Sequence, residues 1–122
     1  LAGSDPRDLI AQAAPLLDAQ RVIALRRMVL EVHASEPLIA YVQALVGRSR
    51  KQPGVRVGLS PRAGLALLRA ARAHALLLGR SHAIPEDVQA LFAAVAEHRL
   101  VGEADTAAAT LAKAILHAVP VD

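Results

Sequence analysis

Apolar residues recur along most of this chain at separations of three and four, the spacing of one helical face, and almost nowhere alternate as strand residues do. Val22, Leu25, Met28, Val29 and Val32 make one such stripe, with Asp18 placed to cap it and Arg21, Arg26, Arg27 and Glu31 on the other sides. Leu38, Tyr41, Val42 and Leu45 form the buried face of the next helix. Ser35 caps it, Glu36-Pro37 opens it, and Arg48, Arg50 and Lys51 suit its negative end. Ser60-Pro61 opens the strongest helix, which runs to about Leu78 and is stopped by Gly79. Leu67, Leu68, Ala71, Ala75 and Leu78 share one face of it, and Arg62, Arg69 and Arg72 fall opposite. Pro85 starts a further helix with Glu86 and Asp87 in its first turn and Val88, Leu91, Phe92 and Val95 inward. Asp105 is placed to cap a last helix through about Ala118, ended by Pro120, and Asp5-Pro6 to open a short one that Pro15 stops.

These elements predict an all-α fold, a small bundle of four main helices with a short N-terminal helix added. Gln52 to Gly58 cannot be helical throughout and reads as a loop, with Val55 and Val57 alternating as a brief extended segment would. That loop is too short to divide the chain, so residues 1–122 are expected to form one domain.

Composition supports a packed helical chain. Apolar residues make up 54% and charged residues 20%, so a core is affordable. Tyr41 and Phe92 are the only aromatics, which leaves aliphatic side chains and alanine to fill it. With no cysteine, neither a disulfide nor a thiolate metal site can form. No apolar run approaches the ~20 residues of a membrane span. The chain starts at Leu1 with no basic-then-apolar leader, so it reads as an excerpt or processed product from a cytoplasmic setting. Arginine supplies most of the basic residues, yet the formal net charge is only +3, a weak signal for a phosphate-rich partner.

The catalytic signals are mostly negative. There is no G-x-x-x-x-G-K-[ST] to cradle a triphosphate and no apolar strand ending in adjacent acids to hold magnesium. The histidines (His33, His74, His82, His98 and His117) include no pair at one-turn spacing, and solvent-facing or locally bonded side chains account for them better than metal ligation. Glu86-Asp87 reads as helix-start charge rather than a catalytic pair. Ser60 is needed as a cap, not as a nucleophile.

Arg62 is different. Ser60 and Pro61 fix where the helix begins, so Arg62 is held on its first turn, where the helix dipole disfavours a cation. The placement makes sense if the guanidinium grips an external anion such as a phosphate. Chemistry alone leaves that reading open beside the plainer one, an arginine in solvent or paired with a nearby acid.

The run Gly58-Leu59-Ser60-Pro61-Arg62-Ala63, with Leu65 to Ala73 after it, resembles the second-sensor segment in the lid domain of MoxR-type AAA+ ATPases. Gly79-Arg80, Ile84-Pro85-Glu86-Asp87-Val88, Glu97-His98-Arg99-Leu100 and the tail from Ile115 to Val121 resemble further lid motifs in the same order. The similarity covers roughly residues 3–122, with two departures. Ile84 stands where the family commonly has a capping threonine, and Ser49 where it has threonine.

The resemblance implies that Arg62 is the second-sensor arginine, reaching terminal phosphates of ATP bound with Mg by a separate N-terminal ATPase core, with Ser60 and Pro61 positioning it. It further implies a ring homo-oligomer, often a hexamer, chaperone-like work on client proteins, and partners with von Willebrand factor A domains. On this reading the chain hydrolyses nothing by itself, holds no metal and does not bind nucleic acid. The rivals are a free-standing helical module that binds nucleic acid through Arg62, Arg69 and Arg72, and a plain protein adaptor.

Overall fold

The computed structural model describes Gly3 and residues 5–121; Leu1 and Asp122, the ends of the expected domain, lie outside it, as do Ala2 and Ser4. Among the described residues there are six helices: α1 (Pro6–Gln12), α2 (Ala19–Glu31), α3 (Glu36–Lys51), α4 (Pro61–Leu77), α5 (Pro85–Ala96) and α6 (Ala108–Ala118). Two short strands, β1 (Val55–Val57) and β2 (Val101–Gly102), complete the fold. The all-α class agrees with the sequence reading. The long helices number five rather than four, one for each of the five stripes and starts read along the sequence, which were totalled one short.

Local chemistry fixes the helix starts. The carboxylates of Asp5 and Asp18 accept from the N–H groups of Arg7 (2.9 Å) and Arg21 (2.8 Å). The hydroxyls of Ser35 and Ser60 accept from Leu38 N–H (3.3 Å) and Ala63 N–H (3.2 Å). α4 ends in a glycine-terminated double hydrogen bond. Gly79 takes φ +80°, its N–H donates to the Leu76 carbonyl (2.9 Å), and Arg80 N–H donates to that of Ala75 (2.9 Å).

Leu45, Leu67, Val88, Phe92 and Ile115 are fully buried where α3, α4, α5 and α6 meet. Alanines at 63, 71, 75 and 96, also buried, let helix backbones approach closely where larger side chains would hold them apart. β1 pairs antiparallel with β2, Val55 opposite Gly102, and so ties the 52–58 loop to the segment before α6.

Three expectations need correction. The stripe of α2 is mostly not core: no residue of the helix is buried, Val22, Leu25 and Met28 are 37%, 39% and 46% exposed, and only Val32, just past its end, is buried. Leu78 is outside the α4 core face and exposed, because the helix has already turned into its cap. Asp105 does not cap α6, whose N-cap is Ala107 with no side-chain bond. Glu103 N–H donates to the Gly54 carbonyl (2.7 Å) and Thr106 N–H to that of Glu103 (2.9 Å). This turn holds 103–106 out of the helix.

Candidate functional site around Arg62

Arg62 is the second residue of α4 and is exposed, while Leu59 and Ala63 around it are 2% and 1% exposed. The backbone is therefore anchored on both sides of an outward-facing guanidinium. Pro61 occupies the first helical position, and Ser60 satisfies one of the free N–H groups behind it. Among the described residues the Arg62 side chain has no hydrogen-bond or ion-pair partner. It meets the like-signed end of the α4 dipole with nothing to offset it, so an anion placed there would be favoured by both.

What holds this turn is a clamp from α3 that the sequence reading missed. Ser49 is fully buried; its hydroxyl donates to the Val46 carbonyl (2.6 Å) and accepts from Leu59 N–H (2.8 Å). Beside it, Arg50 Nε donates to the Leu59 carbonyl (3.1 Å). Both polar groups of the residue preceding the cap are thus fixed to α3. Gly58 allows the approach, since a Cβ there would lie 2.8 Å from Arg50 Cα and from the Ser49 carbonyl oxygen. A signal for Ser49 existed: it lies two turns beyond Val42 and one beyond Leu45, in the buried register of α3.

The three arginines of α4 do not form one open cluster. Arg62 and Arg69 are exposed on the face away from the core, whereas Arg72 is half-buried and its Nε is shut from solvent without a partner among the described residues. Arg69 instead joins Arg26, Val29, Leu30 and Ala73 in lining a groove of about 660 Å³ between α2 and α4.

At the far end of α4, Asp87 is more than a helix-start charge. It is fully buried and takes two hydrogen bonds from Arg80 (both 2.6 Å), one from Ile84 N–H (2.8 Å) and a 2.7 Å contact with His74 Nδ1. The Arg80 guanidinium above all holds this carboxyl well below the usual carboxylate range, with His74 and the Ile84 N–H adding to the effect against the cost of burial. Ile84 indeed offers no side-chain cap; Asp87 supplies the reciprocal bond that secures the start of α5. His74 is consequently half-buried, and its partner lies thirteen residues away rather than close by in sequence.

His33 and His82 meet through a parallel backbone bridge, with His33 N–H donating to the Ser81 carbonyl and Ala83 N–H to that of His33 (both 2.9 Å). No group of three or more His, Asp or Glu side chains among the described residues could hold a metal ion. No described helix is long and apolar enough to cross a membrane.

The family model described as AAA lid domain matches residues 47–118, which takes in the α3 clamp, Ser60-Pro61-Arg62 and the Asp87 cluster. Over 87 residues the chain is 37% identical to the uncharacterized protein YeaC of Bacillus subtilis, covering 71% of this chain and 27% of that protein. It is 33% identical to the chaperone MoxR1 of Mycobacterium tuberculosis over 99 residues, 74% of this chain and 26% of the relative. With the protein MoxR of Methylorubrum extorquens the identity is 36% over 101 residues, 71% and 29% of the two chains. The chain thus spans little more than a quarter of the length of the curated relatives it matches. A crystal structure of a Cytophaga hutchinsonii protein put forward as an ATPase superposes with TM-score 0.80 at 21% identity, covering all of this chain and 45% of the other.

Proposed function

Because the chain belongs to the AAA lid domain family, we propose that it is the lid of a MoxR-type AAA+ ATPase and that Arg62 is its second-sensor arginine. The observation that carries this reading is the unpaired, outward Arg62 on a turn immobilised by Ser49, Arg50 and Ser60. A side chain fixed at its base and free at its tip can follow a phosphate as the lid moves, which couples lid position to the state of the nucleotide. ATP, bound with Mg by a P-loop core, supplies the phosphoanhydride that water cleaves. Arg62 would bind and orient its terminal phosphate oxygens and offset the charge that develops on them. The Mg ligands would come from the core. Ser60 and Pro61 position Arg62 and need not touch the nucleotide.

On the same reading, residues 1–122 act as one lid domain joined to an N-terminal core in the longer polypeptide. The parent works in the cytoplasm as a ring homo-oligomer, a hexamer by the family's habit. It remodels or matures client proteins in the manner of a chaperone, beside partners carrying von Willebrand factor A domains. The nucleic-acid rival needs Arg62, Arg69 and Arg72 on one open face, and the half-buried Arg72 weighs against it.

The test is steady-state ATP hydrolysis by the full-length gene product and its Arg62→Ala variant. The expected loss is on the order of 100-fold, as for removal of one preorganised donor to developing charge. Arg62→Lys should restore little of it, because an ammonium cannot grip two oxygens in one plane. Equal rates in wild type and Arg62→Ala would sink the sensor assignment.

A further inference from the structure

His33, at the junction of α2 and α3, and His82, at that of α4 and α5, are the paired residues of the parallel backbone bridge. Partners in such a bridge project their side chains to the same side, from backbones about 4.8 Å apart. The backbone under each is anchored, because Val32 before His33 and Ala83 after His82 are 3% and 6% exposed. The imidazoles themselves are exposed, and neither has a hydrogen-bond or ion-pair partner among the described residues. Both line one cavity of about 650 Å³, where Ser35 and Tyr41 are polar neighbours.

We propose that His33 and His82 are the protein ligands of an open site for a divalent transition ion, of which zinc is the type. The donors select the ion. Imidazole nitrogen suits zinc, copper(II) and nickel, whereas magnesium and calcium call for oxygen ligands that this pair lacks. Tetrahedral zinc holds imidazole nitrogens at ~2.0–2.1 Å, so the two donors must come within about 3.4 Å of each other. Side chains that leave neighbouring backbones in one direction can converge that far with the bridge intact. Two protein ligands do not close the coordination shell, and the cavity leaves room for water at the remaining positions.

The surrounding charge permits a cation. Glu36 and Glu86 stand in the first turns of α3 and α5, the helices that start beside the two histidines, and set carboxylates against the positive ends of those helices. Arg80 also comes close, its Nη1 donating to the His82 carbonyl (3.3 Å), but its charge is met by Asp87. A bound ion would tie the junction of α2 and α3 to that of α4 and α5. It would select the folded chain, since only folding brings the two histidines together. No residue of the Arg62 turn or its clamp takes part, so the site stands whether or not the lid reading does.

The experiment titrates zinc by calorimetry into the untagged full-length protein in excess magnesium, beside His33→Gln, His82→Gln and the double variant. Wild type is expected to take up one zinc that either substitution weakens about tenfold or more. The second substitution should cost nothing further, because a chelate loses its advantage with its first ligand. Losses that add across the two positions describe separate surface histidines and overturn the proposal, as do single variants that bind like wild type. Thermal melts give a second reading. The four proteins should melt together in chelator, and zinc should raise the midpoint of wild type alone. An equal rise in the double variant overturns the site. Copper(II) paramagnetic resonance needs no substitution: nitrogen hyperfine structure from two imidazoles is expected in wild type, and that from a single imidazole refutes the pair.

Discussion

The Leu59 N–H donates to the buried hydroxyl of Ser49 at 2.8 Å, joining the residue before the α4 cap to the middle of the core. The same hydroxyl donates onward to Val46, so its hydrogen bonding is complete on both sides. Ser49→Ala removes the acceptor and leaves Leu59 N–H buried without a partner, at a cost of about 1–3 kcal/mol. Urea unfolding of the chain should show that loss. In the full-length protein the variant should also weaken ATP hydrolysis, because the turn bearing Arg62 is no longer pinned. A stability unchanged within ~0.5 kcal/mol would mean that the clamp is not what holds the turn.

Two glycines pack against α3 but should respond differently to alanine. A Cβ at Gly58 meets backbone atoms of Ser49 and Arg50 at 2.8 Å, and backbone cannot step aside cheaply. A Cβ at Gly64 meets side chains alone, the Val46 Cγ2 at 3.1 Å and the Val42 Cγ1 at 3.8 Å, and a side chain can turn. Gly58→Ala is expected to destabilise by roughly 1–3 kcal/mol, the usual range for overpacking. Gly64→Ala gains about 1 kcal/mol of helix propensity against its crowding and should land within ~1 kcal/mol of wild type. Thermal melts of the two variants side by side check the order.

How much of this was legible from sequence depends on how local each cause is. Caps act within a few residues, so Asp5, Asp18, Ser35, Ser60 and Gly79 could be placed, and with them the first-turn position of Arg62. The partners of Ser49 and Asp87 could not: Leu59 is ten residues from Ser49 and His74 thirteen from Asp87, and only the packing of α3, α4 and α5 brings them together. Periodicity misled at α2 for a related reason. A stripe says that a helix has an apolar face, not whether the surface covering it belongs to the same 122 residues. At α6 the pairing of β1 with β2, and the turn that follows it, overrode a sound local cap.

That override is itself testable. Asp105 lies in the turn before α6 and takes no part in its N-terminus, so Asp105→Ala should change stability by no more than ~0.5 kcal/mol. Asp18→Ala, which deletes a formed cap, should cost about 1 kcal/mol. Equal losses would show that Asp105 caps α6 in solution after all.

Asp87 gives the chain an acid-sensitive anchor. Its carboxyl titrates below its ordinary value in the folded protein, chiefly through the bonds from Arg80. The unfolded carboxyl titrates at ~3.9 and binds protons first. The stability it contributes is therefore fully present above about pH 4, and falls away as pH drops from there toward the depressed folded value. Asp87→Asn keeps the shape but loses the charge, and leaves the Arg80 guanidinium without its anion. It should lower the urea midpoint at neutral pH and flatten the decline on acidification, so that wild type and variant converge in acid. Unfolding midpoints followed from about pH 7 to about pH 2 decide it. Curves that stay parallel throughout would show that the pair of Asp87 with Arg80 carries no net stabilisation, and that the depressed titration has no bearing on the fold.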